Sequence, residues 1–226
     1  MHALILADGD APIRSALDGA WPGWDAGVEL VIAADGGARH ATGLGVAIDR
    51  WVGDGDSLGP AGMRELATRG IPMDRSRPDK DEADTELAVF AALAGGATRL
   101  TIVGALGGRR RDHELANVAL LALDELTSKD VRIVDATTRI RMVGAFAAGA
   151  SSAAVALDGR VGDLVSLLPW GGSVTGVTTD GLRYALADEP LVVGRARGLS
   201  NVRVARVATV TLRGGRLVIV ESPASL

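Results

Sequence analysis

The chain has 226 residues, a net charge of −4 at pH 7 and no cysteine, which excludes a disulfide scaffold, a thiolate nucleophile and a thiolate zinc site. The acidic balance and an aromatic content of 3% argue against a nucleic-acid partner, because neither a basic field nor a base-stacking platform is present. The first apolar run ends at Asp8 without a basic leader, and no stretch approaches the roughly 20 apolar residues of a membrane helix. We therefore expect a cytoplasmic protein with no membrane partner.

Apolar runs alternate with helical patterns over the first part of the chain, which is typical of an α/β layer fold. The continuous apolar run over 29–34 is typical of a buried parallel strand that leads into a turn. In chain order, the pattern predicts strands over 3–7, 29–34 and 50–52, a helix over 86–93 and a strand over 100–103.

A further helix is predicted after the glycine and arginine cluster at 107–113. Apolar residues follow a 3.6-residue period from Leu115 to Leu126, so we expect that face to pack on the sheet. Asp112 is the predicted N-cap, because its carboxylate suits the free N–H groups and the positive end of a helix.

The pattern changes near residue 131 to short strands separated by turn signals such as Asp158-Gly159 and Gly171-Gly172. The predicted strands cover 131–135, 139–143, 153–157, 164–168, 174–178, 202–211 and 216–221. The sequence therefore predicts an all-β second domain over 131–226, after an α/β domain over 1–130.

Polar clusters follow the predicted strands of the first domain. They are Asp8-Gly9-Asp10, Asp35-Gly36-Gly37, Gly53-Asp54-Gly55-Asp56-Ser57 and the run over 107–113. Ligands bind beyond the carboxyl ends of the strands in such sheets, so these loops are expected to line one crevice. Alternate residues of an extended chain face the same side, so Asp54 and Asp56 can converge on a cation such as Mg²⁺. The alternative is an ordinary turn, since Asp and Gly also form turns.

Lysine is rare in this chain, and Lys80 lies among Asp79, Asp81 and Asp84. Its ammonium group could neutralise these carboxylates or bind a phosphate, unless it is a solvated surface lysine. The chain contains neither a P-loop nor a Gly-x-Gly-x-x-Gly motif after the first strand, so a P-loop kinase and a dinucleotide-binding fold are disfavoured. Glycines and arginines at the strand ends instead favour chemistry on a magnesium-bound polyphosphate.

These motifs, in this order and spacing, resemble those of the thiamine pyrophosphokinases. The similar blocks are Ala34-Asp35-Gly36-Gly37, Gly53-Asp54-Gly55-Asp56-Ser57, Asp79-Lys80-Asp81-Glu82-Ala83-Asp84, Gly107-Gly108-Arg109-Arg110-Arg111-Asp112-His113, Gly162-Asp163-Leu164-Val165-Ser166, Thr179-Asp180-Gly181-Leu182-Arg183 and Gly198-Leu199-Ser200-Asn201. The resemblance implies a Rossmann-like three-layer α/β domain with a mostly parallel sheet, followed by a sandwich-like β-domain that binds thiamine and dimerises. It also implies Mg²⁺-dependent transfer of pyrophosphate from ATP to the thiamine hydroxyl, in a homodimer with active sites at the interface.

The resemblance further implies roles for individual residues. The magnesium carboxylates would be Asp54, Asp56 and Asp84, with Asp81 as a close catalytic partner. The residues that face ATP or its phosphates would be Asp35, Gly36, Lys80, Arg110, Asp112, His113 and Asn117. Ser200 and Asn201 would face thiamine.

Two departures from the family pattern bear on these roles. Ala83 stands where the family usually has threonine, and the arginine loop is one residue longer than the commonest form, which favours Arg110 as the functional arginine and makes Arg109 the insertion. Two alternatives stay open: a non-catalytic thiamine or nucleotide sensor on the same fold, and a nucleotide-sugar transferase that uses Asp-x-Asp.

Overall fold

A computed structural model describes residues 1–145 and 152–224 of the chain. It contains two compact units, Met1–Ala136 and Thr137–Leu226. No helix within these described ranges has the length and apolarity needed to cross a membrane.

The first unit is built on a parallel sheet. Its strands are β1 (His2–Leu6), β2 (Val28–Ala34), β3 (Arg50–Gly53), β4 (Met73–Arg75), β5 (Arg99–Val103) and β6 (Asp130–Val134). Their order across the sheet is β6-β5-β1-β2-β3-β4, and each neighbouring pair is parallel. Every residue of the central strand β1 is buried, as expected of a strand covered on both faces.

Helices connect these strands and cover the sheet. They are α1 (Arg14–Ala20), α2 (His40–Leu44), α3 (Gly59–Thr68), α4 (Asp84–Ala94) and α5 (Arg111–Leu120), with 3-10 turns at Asp35–Arg39 and Asp124–Leu126. Trp51, fully buried on β3, belongs to a core that also contains Leu4, Leu17 and Leu66. The carboxyl ends of the parallel strands therefore emerge together above one apolar core.

The second unit consists of two antiparallel sheets. Its strands are β7 (Arg139–Ala145), β8 (Ala153–Asp158), β9 (Leu164–Pro169), β10 (Val174–Asp180), β11 (Glu189–Leu191), β12 (Asn201–Val202), β13 (Val207–Leu212) and β14 (Gly215–Ser222). The strand orders are β12-β9-β14-β7 and β11-β10-β13-β8. Leu167 and Leu217 from one sheet and Leu157 and Val210 from the other share a buried cluster, the arrangement of a sandwich.

A group of buried charges lies within this second unit. The Glu221 carboxylate accepts hydrogen bonds from Arg139 at 2.7 and 2.9 Å and from Arg203 at 2.9 Å, and Arg141 forms an ion pair with it at 3.2 Å. All four side chains are at most 10% exposed. Burial lowers the pKa of Arg203, and the neighbouring Glu221 carboxylate opposes that shift.

The predicted α/β class is confirmed: a mostly parallel sheet precedes an antiparallel all-β part. The strand predicted over 131–135 pairs in parallel with β5 and belongs to the first compact unit, which extends to Ala136. The strand predicted over 202–211 is two strands, β12 and β13.

The prediction for the last helix was wrong in two respects. The helix α5 ends at Leu120, so its predicted apolar face does not continue to Leu126, and Leu115 is 64% exposed. Arg110 is the N-cap residue, with Asp112 inside the first turn. From this position the Asp112 carboxylate accepts hydrogen bonds from the Arg110 guanidinium.

Candidate active site

A cavity of about 650 Å³ opens beyond the carboxyl ends of β1, β2, β3 and β5. The loops after these strands and the first turns of α4 and α5 form its walls. The cavity brings together eight residues that the sequence assigned to a site: Asp35, Asp54, Asp56, Lys80, Asp84, Arg110, His113 and Asn117.

Asp35 ties the loop after β2 to the loop after β3. Its backbone has a φ of 39°, a left-handed conformation that is uncommon outside glycine, and the buried Trp51 indole donates a 3.0 Å hydrogen bond to its carbonyl. The Asp35 carboxylate accepts hydrogen bonds from the backbone N–H groups of Ser57 and Leu58, at 3.0 and 3.2 Å. Such local strain persists only where surrounding contacts hold it, and it is frequent at functional sites.

Asp35, Asp54 and Asp56 form a cluster of carboxylates. One oxygen from each lies within 4.8 Å of the others. Burial raises the pKa of Asp35 to about 6, and a hydrogen bond with Asp35 lowers the pKa of Asp56. Three convergent carboxylates form an all-oxygen donor set, which fits a hard divalent cation such as Mg²⁺.

Lys80 supplies positive charge beside this cluster. Its Nζ atom lies 2.8 Å from Asp84 Oδ1 and 3.7 Å from Asp54 Oδ2. Burial acts to lower the pKa of Lys80, but the contacts with Asp84 and Asp54 outweigh it, and the net shift is upward. The ammonium group therefore stays charged at neutral pH and links the loop after β3 to the first residue of α4.

The loop between β5 and α5 carries arginines that differ in whether their side chains have a hydrogen-bond or ion-pair partner. Arg110 binds Asp112 through Nε at 3.0 Å and through a terminal nitrogen at 2.5 Å, and Arg111 binds Glu114 at 2.5 Å. Within the part of the chain that the structure describes, the Arg109 side chain lines the cavity without a hydrogen-bond or ion-pair partner. Arg109 is therefore the guanidinium of this loop that is available to an anion.

The loop after β1 fixes the position of this arginine loop. The Gly9 and Asp10 N–H groups donate to the carbonyls of Gly104 and Leu106, and the Gly108 N–H donates to the Asp10 carboxylate at 2.8 Å. Asp8, on the same loop, forms an ion pair with Arg39 at 3.3 Å, and Arg39 donates to the Ser57 carbonyl. Asp8 and Asp10 carry no role in the sequence-based assignment, although both follow a predicted strand as Asp54 and Asp56 do.

The remaining predicted residues of the first unit take other positions. Asp81 is exposed and outside the cavity lining, and Asp112 is held by Arg110. Gly36 lies under the Asp8 carboxylate, where a Cβ atom would overlap it. At the cavity, Asn117 donates a 2.9 Å hydrogen bond to the Ala105 carbonyl, and His113 is exposed.

Ser200 and Asn201 lie in the second unit. The Asn201 side chain accepts hydrogen bonds from the Tyr184 and Val202 N–H groups and donates to the Tyr184 carbonyl, at 2.8 to 2.9 Å. Its amide is thus used to hold the segment that carries Tyr184, whose side chain is 57% exposed. Ser200 has a φ of 54°, and its N–H donates to the Ser166 hydroxyl at 3.0 Å.

Family models match most of the chain. Residues 24–134 match the thiamin pyrophosphokinase catalytic domain, and residues 154–217 match the thiamin pyrophosphokinase vitamin B1 binding domain. The chain belongs to the thiamin pyrophosphokinase family. The two matches also agree with the order of the two folds, since the catalytic model falls on the parallel sheet and the vitamin B1 model on the antiparallel strands.

Individual members of the thiamin pyrophosphokinase family are distant in sequence and close in fold. A thiamine pyrophosphokinase from Bacillus subtilis (strain 168) is 25% identical over 193 residues, which cover 85% of this chain and 87% of that protein. A crystal structure of the thiamine pyrophosphokinase from Bacillus subtilis superposes with a TM-score of 0.81 at 22% identity, covering 100% of both chains. The Candida albicans thiamin pyrophosphokinase gives a TM-score of 0.77 at 16% identity, covering 98% of this chain and 88% of the other.

Proposed function

We propose that this protein is a thiamine diphosphokinase, which transfers pyrophosphate from ATP to the hydroxyl of thiamine and releases AMP. Family membership supports the reaction class. The observation that carries the proposal is the cluster of Asp35, Asp54 and Asp56 at the strand ends, because a polyphosphate substrate needs cationic neutralisation at the place where it binds.

Asp54 and Asp56 are the residues proposed to hold Mg²⁺, with Asp84 beside them across Lys80. Bound there, Mg²⁺ would offset the negative charge of the phosphate oxygens. Asp35 contributes mainly by fixing the loop that carries Asp56, since both of its oxygens accept backbone hydrogen bonds from that loop.

The proposed transfer forms a bond between the thiamine hydroxyl oxygen and the β-phosphorus, while the bond from that phosphorus to the AMP oxygen breaks. Positioning and charge stabilisation provide most of the rate in such transfers. Arg109 and Lys80 are proposed to bind phosphate oxygens. Both line the cavity, and Arg110, which also lines it, is already bound to Asp112. Arg110, Asp112, His113 and Asn117 remain proposed to face the nucleotide or its phosphates. Asp81 remains proposed as a close partner of the magnesium carboxylates.

The second unit is proposed to bind thiamine through the segment around Ser200 and Asn201. The match of residues 154–217 to a vitamin B1 binding domain supports this part. We also propose that the protein is a cytoplasmic homodimer with active sites at the subunit interface. Equilibrium sedimentation of the full chain would test the dimer.

Incubation with ATP, Mg²⁺ and thiamine tests the reaction, scored by chromatography of AMP and thiamine diphosphate. The Asp56→Asn variant should lose at least about 100-fold in kcat/KM, because removing a metal contact costs several kcal/mol. The matched control is Asp74→Asn, which changes a half-exposed aspartate on β4, outside the cavity lining. Stabilisation by thiamine or ATP without AMP release would favour the sensor, and turnover of a nucleotide sugar would favour the transferase.

A further inference from the structure

Lys80 differs from the other cationic side chains that form ion pairs in the first unit. Its side chain is 13% exposed, and its partners Asp54 and Asp84 are 11% and 27% exposed. The nearby pair of Arg77 and Asp79 is 85% and 68% exposed, as is usual for a surface ion pair. Charges sheltered from water interact more strongly than exposed ones, so the contacts of Lys80 matter more to the site than the exposed pair does.

The two partners of Lys80 come from separate elements. Asp54 lies in the loop after β3, and Asp84 is the first residue of α4. Without a cation between them, two sheltered carboxylates repel, and each disfavours the ionised form of the other. The single charge of Lys80 therefore holds together two groups that are also candidate ligands of a divalent cation.

A lysine suits this position for a chemical reason. An ammonium group is a compact charge on a flexible stem, whereas a guanidinium group binds carboxylates in a fixed planar fork. Lys80 can therefore leave its carboxylates and follow a phosphate group with little rearrangement. The chain contains only one other lysine, Lys129, so the choice of lysine here stands out against a predominance of arginine.

We infer that Lys80 neutralises Asp54 and Asp84 and competes with a free divalent cation for these two carboxylates. When the cation arrives bound to a nucleotide, Lys80 moves from the carboxylates to a phosphate group of that nucleotide. This inference rests on the proposed function, because it concerns the same site. Its consequence is selectivity: the site binds a free divalent cation weakly and a complex of cation and nucleotide tightly. The charge of Lys80 thus determines which of these two ligands the site binds tightly.

Titration with Mn²⁺, followed by the electron paramagnetic resonance signal of the free ion, tests the inference without any turnover. The Lys80→Met variant should bind Mn²⁺ about tenfold more tightly in the absence of nucleotide, since a unit charge near a divalent ion is removed. The same variant should bind a non-hydrolysable ATP analogue about tenfold more weakly, because a phosphate contact is lost. A role confined to folding would not move these two affinities in opposite directions.

Two further variants serve as controls, and a third can replace Lys80→Met. Lys80→Arg keeps the positive charge and should therefore show no gain in Mn²⁺ affinity over the unmodified protein. Lys129→Met removes the other lysine, which directly precedes β6 and lies outside the cavity lining, and should leave Mn²⁺ affinity unchanged. If Lys80→Met fails to fold, Lys80→Gln carries the same expectation for both affinities.

Equal or weaker Mn²⁺ binding by a folded Lys80→Met variant would overturn the inference, and so would the absence of Mn²⁺ binding by every variant at millimolar concentration. The proposed function is judged separately by AMP release from the unmodified protein with ATP, Mg²⁺ and thiamine. A protein that releases AMP while Lys80→Met leaves Mn²⁺ affinity unchanged would refute the role of Lys80 alone.

Discussion

Neutralising Glu221 should strongly destabilise the second unit. The Glu221→Gln substitution keeps the shape of the side chain but removes the carboxylate that Arg139, Arg141 and Arg203 share. Glu221 is only 1% exposed, so water cannot reach these guanidinium groups to replace the lost carboxylate.

The expected magnitude follows from that burial. Removing one partner of a buried ion pair costs about 3 to 5 kcal/mol, because an uncompensated charge stays in a medium of low polarity. Since the free energy of unfolding of a typical domain is about 5 to 15 kcal/mol, the variant should lose a large fraction of its stability.

Urea denaturation of the full chain, followed by far-ultraviolet circular dichroism, measures this loss. Glu189→Gln is the matched control, because Glu189 forms a 3.2 Å ion pair with Arg197 in which both side chains are more than 40% exposed. The control should lose no more than about 1 kcal/mol. If both variants lost the same free energy of unfolding, burial would not be what makes the Glu221 charge essential.

Three other substitutions or conditions give further tests. Ala83→Thr should raise the free energy of unfolding by about 1 kcal/mol relative to Ala83→Val in thermal melts, because Ala83 is the N-cap of α4 and offers no side-chain hydrogen bond. In assays of AMP release, Arg109→Ala should raise KM for ATP more than Arg110→Ala does, since Arg110 is bound to Asp112; the reverse order would restore Arg110 as the functional arginine. Burial lowers the pKa of His2 below 6.5, so the unfolded chain takes up a proton before the folded one as the pH falls through 6.5. The free energy of unfolding should therefore decrease as the pH falls through 6.5, and urea denaturation at about pH 7.5 and 5.5 should show a smaller decrease for His2→Gln; an equal decrease in both proteins would contradict this.

Strands were the part of the fold that the sequence predicted best. Buried runs such as 29–34 and alternating runs such as 216–221 lie within β2 and β14, because apolar patterning reflects burial directly. The direction of pairing was not predictable for β6, whose parallel pairing with β5 depends on a partner about 30 residues away. The sequence after residue 131 resembles that of an all-β domain, although its first strand, β6, pairs in parallel with β5 of the first unit.

Helix ends were predicted less well. Leu115 and Leu126 fit one helical period, but periodicity contains no information on where a helix stops, and the chain leaves the helix after Leu120. The predicted cap at Asp112 assumed that its carboxylate binds backbone N–H groups. Arg110, two residues earlier, is the N-cap residue and binds that carboxylate, and this pairing depends on the loop conformation.

At the candidate site, the rule that ligands lie at the carboxyl ends of strands predicted the meeting of Asp35, Asp54 and Asp56. It did not predict how side chains pair once they are there. The engagement of Arg110 with Asp112, the exposure of Asp81 and the hydrogen bond from Gly108 to Asp10 all depend on three-dimensional contacts that spacing does not encode.

The proposed pyrophosphate transfer is tested most directly by the products formed from ATP and thiamine in the presence of Mg²⁺. A thiamine diphosphokinase forms AMP and thiamine diphosphate in equal amounts, and formation of both should be lost in Asp56→Asn and retained in Asp74→Asn. Release of ADP with thiamine monophosphate, or undiminished formation of AMP and thiamine diphosphate by Asp56→Asn at limiting Mg²⁺, would contradict it.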